Sequence, residues 1–95
     1  MTDDLTWLSA HELGSLYRRR EVSPVEVVDA ALARIEHVND RLNVMVTVTS
    51  DTAREQAREA ERRFAAGEEL PPLYGVPITV KDLTDTAGVR TTYGL

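Results

Sequence analysis

The side chain best placed to do chemistry is Lys81, which closes the apolar run Val76-Pro77-Ile78-Thr79-Val80-Lys81. An amine can act as a base only when deprotonated. Its ordinary pKa of about 10.4 must then fall by roughly 3 to serve near neutrality. Burial does this, because a low-dielectric surrounding disfavours the ammonium form. On position alone the plainer reading is a lysine that ends a strand and reaches back to water. Asp82 follows directly. It reads either as a charge partner for the site or as a carboxylate accepting backbone N–H bonds from the turn after it, and local chemistry favours the second. The remaining candidates are thin. His11 and His37 are the two histidines, neither has a partner at metal-ligand spacing, and the chain has no cysteine. No zinc site, thiolate or metal centre is expected. No glycine-rich phosphate loop is present, so no nucleotide or other cofactor is expected. Trp7 and Tyr17 read as core or staple aromatics. The basic run Arg18-Arg19-Arg20 reads as cations at a helix C-terminus, where the dipole favours them, since Glu21 follows and no aromatics interleave.

The elements that must position Lys81 are marked by strong local signals. Ser9-Ala10-His11-Glu12 is a capping box, with Leu8 and Leu13 as its hydrophobic staple, and Leu13, Leu16 and Tyr17 give an apolar face. Gly14 lies inside this helix, at a cost of about 1 kcal/mol relative to alanine. Ser23-Pro24-Val25-Glu26 repeats the box, with proline at the first helical position and Val22 and Val27 as staple. Val28, Ala31, Leu32, Ile35 and Val38 continue at helical period. Leu42, Val44, Val46 and Val48 alternate with polar neighbours and Met45, which predicts a strand over 42–49. A third helix begins at Ser50 or Asp51, carries Ala53, Ala57, Ala60 and Phe64 on one face, and stops at Gly67. Residues 76–81 read as a second strand, so 42–95 is a strand–helix–strand unit following a helical region over 1–41. Strand, helix and strand in that order predict a right-handed crossover with parallel strands. The expected fold class is therefore α/β: a piece of an α/β/α sandwich, with helices packed on a mixed or parallel sheet that this chain leaves incomplete.

Composition narrows the function classes. The chain has 95 residues, 42% hydrophobic and 28% charged, and a formal net charge of −5. This is a soluble globular balance, and the acidic sign disfavours direct nucleic-acid binding. Met1-Thr2-Asp3-Asp4 lacks the positive start of a secretory leader, and no apolar stretch suits a membrane span. A cytoplasmic location is expected.

The string Leu73-Tyr-Gly75-Val-Pro77-Ile-Thr-Val80-Lys81-Asp82, followed by Gly88-Val-Arg-Thr91-Thr92-Tyr-Gly94, resembles the start of the amidase-signature family. The order of two helices, an Asn-x-x-Val strand, an alanine-rich helix and this motif resembles the family throughout. Leu95 departs from it, standing where many members have serine. The resemblance implies hydrolysis of carbon–nitrogen amide bonds by a Ser–cis-Ser–Lys triad. Lys81 corresponds to its lysine, the base that works through a cis serine on the nucleophilic serine. Ser9, Ser15, Ser23 and Ser50 all precede Lys81, and the family gives them no catalytic role. No serine follows Lys81, so both catalytic serines are expected outside this chain, which by itself is expected to be inactive. The resemblance also admits the amidase component of a tRNA-dependent amidotransferase, which releases ammonia from glutamine for a partner subunit. Outside the family, a helical interaction domain without catalysis is the alternative. The expected partners are a small-molecule amide and either a second copy or an amidotransferase subunit.

Overall fold

The computed structural model describes residues 5–82 and 84–93. The acidic start Met1–Asp4, and Leu83, Gly94 and Leu95 of the motif region, lie outside the described residues. Three helices lie wholly among the described residues: α1 (Ala10–Arg18), α2 (Pro24–Leu42) and α3 (Ser50–Ala65).

Both capping boxes form. Ser9 Oγ accepts from the Glu12 N–H at 3.1 Å, and the Ser9 N–H donates to Glu12 Oε1 at 2.8 Å. That backbone donor holds the Glu12 carboxyl below its ordinary range. Ser23 Oγ accepts from the N–H groups of Val25 and Glu26 at 3.1 and 3.3 Å, and the Ser23 N–H donates to Glu26 Oε1 at 3.0 Å. Each box satisfies helix-end donors that have no intrahelical partner.

The core is assembled from the apolar faces of these helices. Leu13, Tyr17, Val27 and Phe64 form its buried centre, and the staple residues Leu8 and Val22 pack against it. Val28, Ala30, Ala57 and Ala60 are also buried. Tyr17 and Phe64 meet with ring centroids 5.3 Å apart, and Phe64 meets Tyr74 edge-on at 6.0 Å. Neither the tilted nor the edge contact is the disfavoured face-to-face sandwich. Helix α3 packs against α2, and Arg54 bridges to Asp29 at 3.1 Å across their solvent side. Gly14 is buried in α1, where an added Cβ would lie 3.2 Å from the Pro72 carbonyl oxygen. Its lack of a side chain lets the 70–72 segment approach the helix. Arg18 holds that segment by donating to the carbonyls of Leu70 and Pro71 at 3.4 and 3.2 Å.

Two expectations are corrected. Trp7 is not in the core: it is 76% exposed, with the Arg34 guanidinium 5.7 Å from its ring centroid. Neither 42–49 nor 76–81 is paired as a strand among the described residues, where an isolated bridge joins Thr86 and Val89. Leu42 ends α2, and Asn43 is its left-handed cap with φ 49°. Asn39 then supplies what a neighbouring strand would. Its side-chain amide accepts from the Met45 N–H at 2.8 Å and donates to the Met45 carbonyl at 3.1 Å. The alternation of 42–49 is a pattern for a half-buried sheet face, and it becomes a strand only where another strand offers a ladder. The described residues therefore form a helical assembly, with these two stretches running outside regular structure.

Candidate functional site

The segment bearing Lys81 begins at a fixed point. The Tyr17 hydroxyl, on a side chain only 1% exposed, donates to the Gly75 carbonyl at 2.9 Å. Burial pushes the Tyr17 phenol up to about 12. Gly75 has φ +82°, and a Cβ there would meet Pro24, Tyr17 and Phe64 at 3.2, 3.2 and 3.3 Å. Only glycine fits both the backbone conformation and the space. Two turns lead into it, with Tyr74 N–H on the Pro71 carbonyl and Val76 N–H on the Leu73 carbonyl, both at 3.1 Å. Arg63 donates to the Tyr74 hydroxyl at 3.1 Å and to Glu68 at 3.0 Å.

Beyond Val76 the chain leaves the core. Pro77, Ile78, Thr79, Val80 and Lys81 are all exposed. Lys81 is the sole lysine of the sequence, and its side chain has no ion pair among the described residues. An apolar cleft of about 600 Å³ opens beside this segment, walled by Leu13, Val28, Ile35, Val48, Val76 and Ile78 among others. The wall reaches Thr79 and does not include Lys81.

After Lys81 the chain folds back. The Lys81 carbonyl accepts from the Thr84 N–H at 3.0 Å. Asp82 Oδ1 accepts from the Thr92 N–H at 2.7 Å, Oδ2 accepts from the Thr92 hydroxyl, and the Asp82 carbonyl accepts from the Tyr93 N–H at 3.1 Å. The structural role read for Asp82 is thus present, with a reach of ten residues instead of the adjoining turn. The Thr84 carbonyl accepts from the Thr86 and Thr91 hydroxyls at 3.3 and 3.4 Å. The Tyr93 phenol donates to the Asp85 carboxylate, which holds it above its ordinary range. Gly88, at φ +75°, turns the loop. Thr91 and Thr92 hold this loop, as their types suggest.

The other candidates stand apart. His11 and His37 are exposed on α1 and α2. Among the described residues no group of His, Asp and Glu is arranged to hold a metal ion. Arg19 pairs with Glu21 at 3.2 Å, while Arg18 serves the 70–72 segment. Among the described residues no helix is long and apolar enough to cross a membrane. The seat formed by Tyr17 and Gly75 was not visible in the sequence, because nothing local links residues 58 positions apart.

Comparison with known proteins bears on the same segment. The chain is 50% identical over 91 residues to a glutamyl-tRNA(Gln) amidotransferase subunit from Geobacter sulfurreducens, covering 96% of this chain and 19% of that protein. It is 40% identical over 89 residues to the like-named protein from Desulforamulus reducens, covering 94% and 18%. An acylamidase of Rhodococcus erythropolis is 39% identical over 92 residues, covering 97% and 19%. The chain therefore spans less than a fifth of the length of these curated relatives. No solved structure matches it. The Amidase family model matches residues 26–95, which takes in α3, most of α2 and the whole segment around Lys81, and the chain belongs to the Amidase family.

Proposed function

We propose that this chain is the N-terminal portion of an amidase-signature domain, a cytoplasmic hydrolase of small carboxamides in which Lys81 is the general base. The observation that carries this is Lys81 itself. The family's lysine motif stands intact around it, between the Tyr17–Gly75 anchor and the Asp82–Thr92 closure. In the proposed reaction the neutral amine of Lys81 draws a proton through one serine from a second. The second serine attacks the amide carbonyl, the nitrogen leaves with a proton, and water then releases the acid from the acyl-enzyme. Both serines come from sequence beyond the segment that these relatives share with the chain.

The exposed positions of Val44, Val46, Ile78 and Val80 support a complete α/β/α sandwich in the assembled domain, since these are the residues a sheet would cover. Desolvation of the Lys81 amine would come from the same assembly. The 95-residue chain alone is accordingly inactive.

A chimera tests the reading: this chain replaces the matching stretch of the Rhodococcus erythropolis acylamidase. Lys81→Ala is expected to lower turnover by about 10²–10⁴-fold. Lys81→Arg should be as poor, because a guanidinium does not deprotonate. Turnover unchanged in either variant would remove Lys81 from the mechanism.

A second reading is favoured by the names of the amidotransferase relatives at 40% and 50% identity. Here the domain is the amidase component of a tRNA-dependent amidotransferase and works with a partner protein. Amide hydrolysis that depends on a co-purifying partner selects this reading, and a self-sufficient homodimer selects the first.

A further inference from the structure

The backbone around Lys81 is held very unevenly. Upstream, the last fixed point is Val76, whose N–H bonds to the Leu73 carbonyl and whose side chain packs on the core. From Pro77 to Val80 the side chains are exposed, and no backbone hydrogen bond ties this stretch among the described residues. The backbone at Lys81 is therefore not tied from its N-terminal side. It is tied from the C-terminal side, where the Lys81 carbonyl takes the Thr84 N–H at 3.0 Å and the next residue bonds to both Thr92 and Tyr93. Asp82 uses both carboxylate oxygens on Thr92, one for the N–H at 2.7 Å and one for the hydroxyl, and its carbonyl takes the Tyr93 N–H at 3.1 Å. These contacts close residues 82–93 into a ring. Cross-links from Thr86 and Thr91 to the Thr84 carbonyl, and from Tyr93 to Asp85, stiffen it.

We propose that Asp82 is a positioning residue for Lys81: by clasping Thr92 it anchors the peptide that follows the lysine and so fixes the backbone from which the amine extends. The carboxylate moves no proton and touches no substrate. The inference deepens the assignment of Lys81 as base and rests on it.

Two measurements test it. The first uses the 95-residue chain, in which ¹⁵N-lysine labelling gives a single backbone amide signal, that of Lys81. The order parameter of that amide is expected near the rigid value of about 0.85, and below about 0.6 in Asp82→Ala. An unchanged order parameter overturns the proposal. The second uses the acylamidase chimera. Asp82→Ala is expected to lower kcat roughly 10²-fold with KM unchanged, as for a reacting group displaced by about 1 Å. Thr92→Val, which loses the hydroxyl and keeps the N–H, should fall less. Asp82→Asn and Thr92→Ser, which keep hydrogen-bonding groups in place, should recover most of the rate. If Asp82→Ala does not fold, Thr92→Val decides, and wild-type kcat there overturns the proposal. A loss that follows only the folded fraction, measured by active-site titration, also overturns it. Lys81→Ala separates the two claims. If that variant is inert while Asp82→Ala is fully active, the positioning role alone fails. If Lys81→Ala turns over normally, the base assignment fails and takes the positioning role with it.

Discussion

Gly75 and Tyr17 carry the most consequence per atom, because together they decide where the Lys81 segment departs from the core. An alanine at Gly75 must adopt φ +82° and push a methyl against Pro24, Tyr17 and Phe64 at 3.2–3.3 Å. Left-handed backbone and overpacking each carry a cost, so Gly75→Ala should destabilise the fold by about 2–4 kcal/mol, measured by urea unfolding. Tyr17→Phe removes the bond to the Gly75 carbonyl and leaves that acceptor without its donor, a loss of about 1 kcal/mol. The same phenol predicts an alkaline weakness. Its pKa is raised by burial to about 12 in the folded chain, against about 10 when unfolded. The unfolded state therefore releases its proton first. The stabilising contribution is whole below pH of about 10 and is lost as pH rises towards about 12. Unfolding curves collected across that window should show stability falling in the native chain, and the part of the slope due to this group should vanish in Tyr17→Phe.

At the scale of elements, what a short window of sequence specifies is what the structure forms. Ser9 and Ser23 bond to N–H groups two or three residues away, so each capping box is a closed local device and its helix start could be placed from residue types alone. Ser23→Ala should cost about 1 kcal/mol in urea unfolding, because two N–H groups at the start of α2 lose their acceptor. The buried face of α3 was legible for a similar reason: Ala57, Ala60 and Phe64 recur at helical period. The strands were legible only as patterns. Val44, Val46 and Val48 alternate as a strand should, yet a strand is a relation between distant stretches, and no ladder exists for them among the described residues. The place of Trp7 was not legible, because an aromatic near a staple is read from composition, whereas its surroundings depend on tertiary packing. Lys81 falls between these cases. Its motif was plain in the sequence, but its solvent exposure was not, because the stretch it ends, with Ile78 and Val80, joins no strand among the described residues. The Asp82–Thr92 clasp could be half read: the acceptor type was evident, its partner ten residues on was not.

The whole molecule has more apolar surface than its core can cover. Its radius of gyration is 14.1 Å, where a compact chain of this length is expected near ~12 Å from the usual size scaling. Val44 and Val46 are each 64% exposed, Ile78 is 79% and Val80 is 53% exposed, on two stretches that join no strand ladder among the described residues, where Asn39 holds Met45 alone of 44–46. Unpaired backbone flanked by alternating valine and isoleucine is a template for another strand. Neither stretch carries a charge before Lys81 to oppose such pairing. The 95-residue chain should therefore self-associate, seen as a concentration-dependent sedimentation coefficient and a gain of β signal in the infrared amide band. Val46→Lys with Ile78→Lys places a charge on each stretch without touching the buried cluster of Leu13, Tyr17, Val27 and Phe64. This double variant should sediment as a monomer with its helical circular dichroism intact. Association undiminished in it would locate the contact elsewhere, as on exposed Trp7, since a surface driven by these two stretches cannot tolerate a lysine in each.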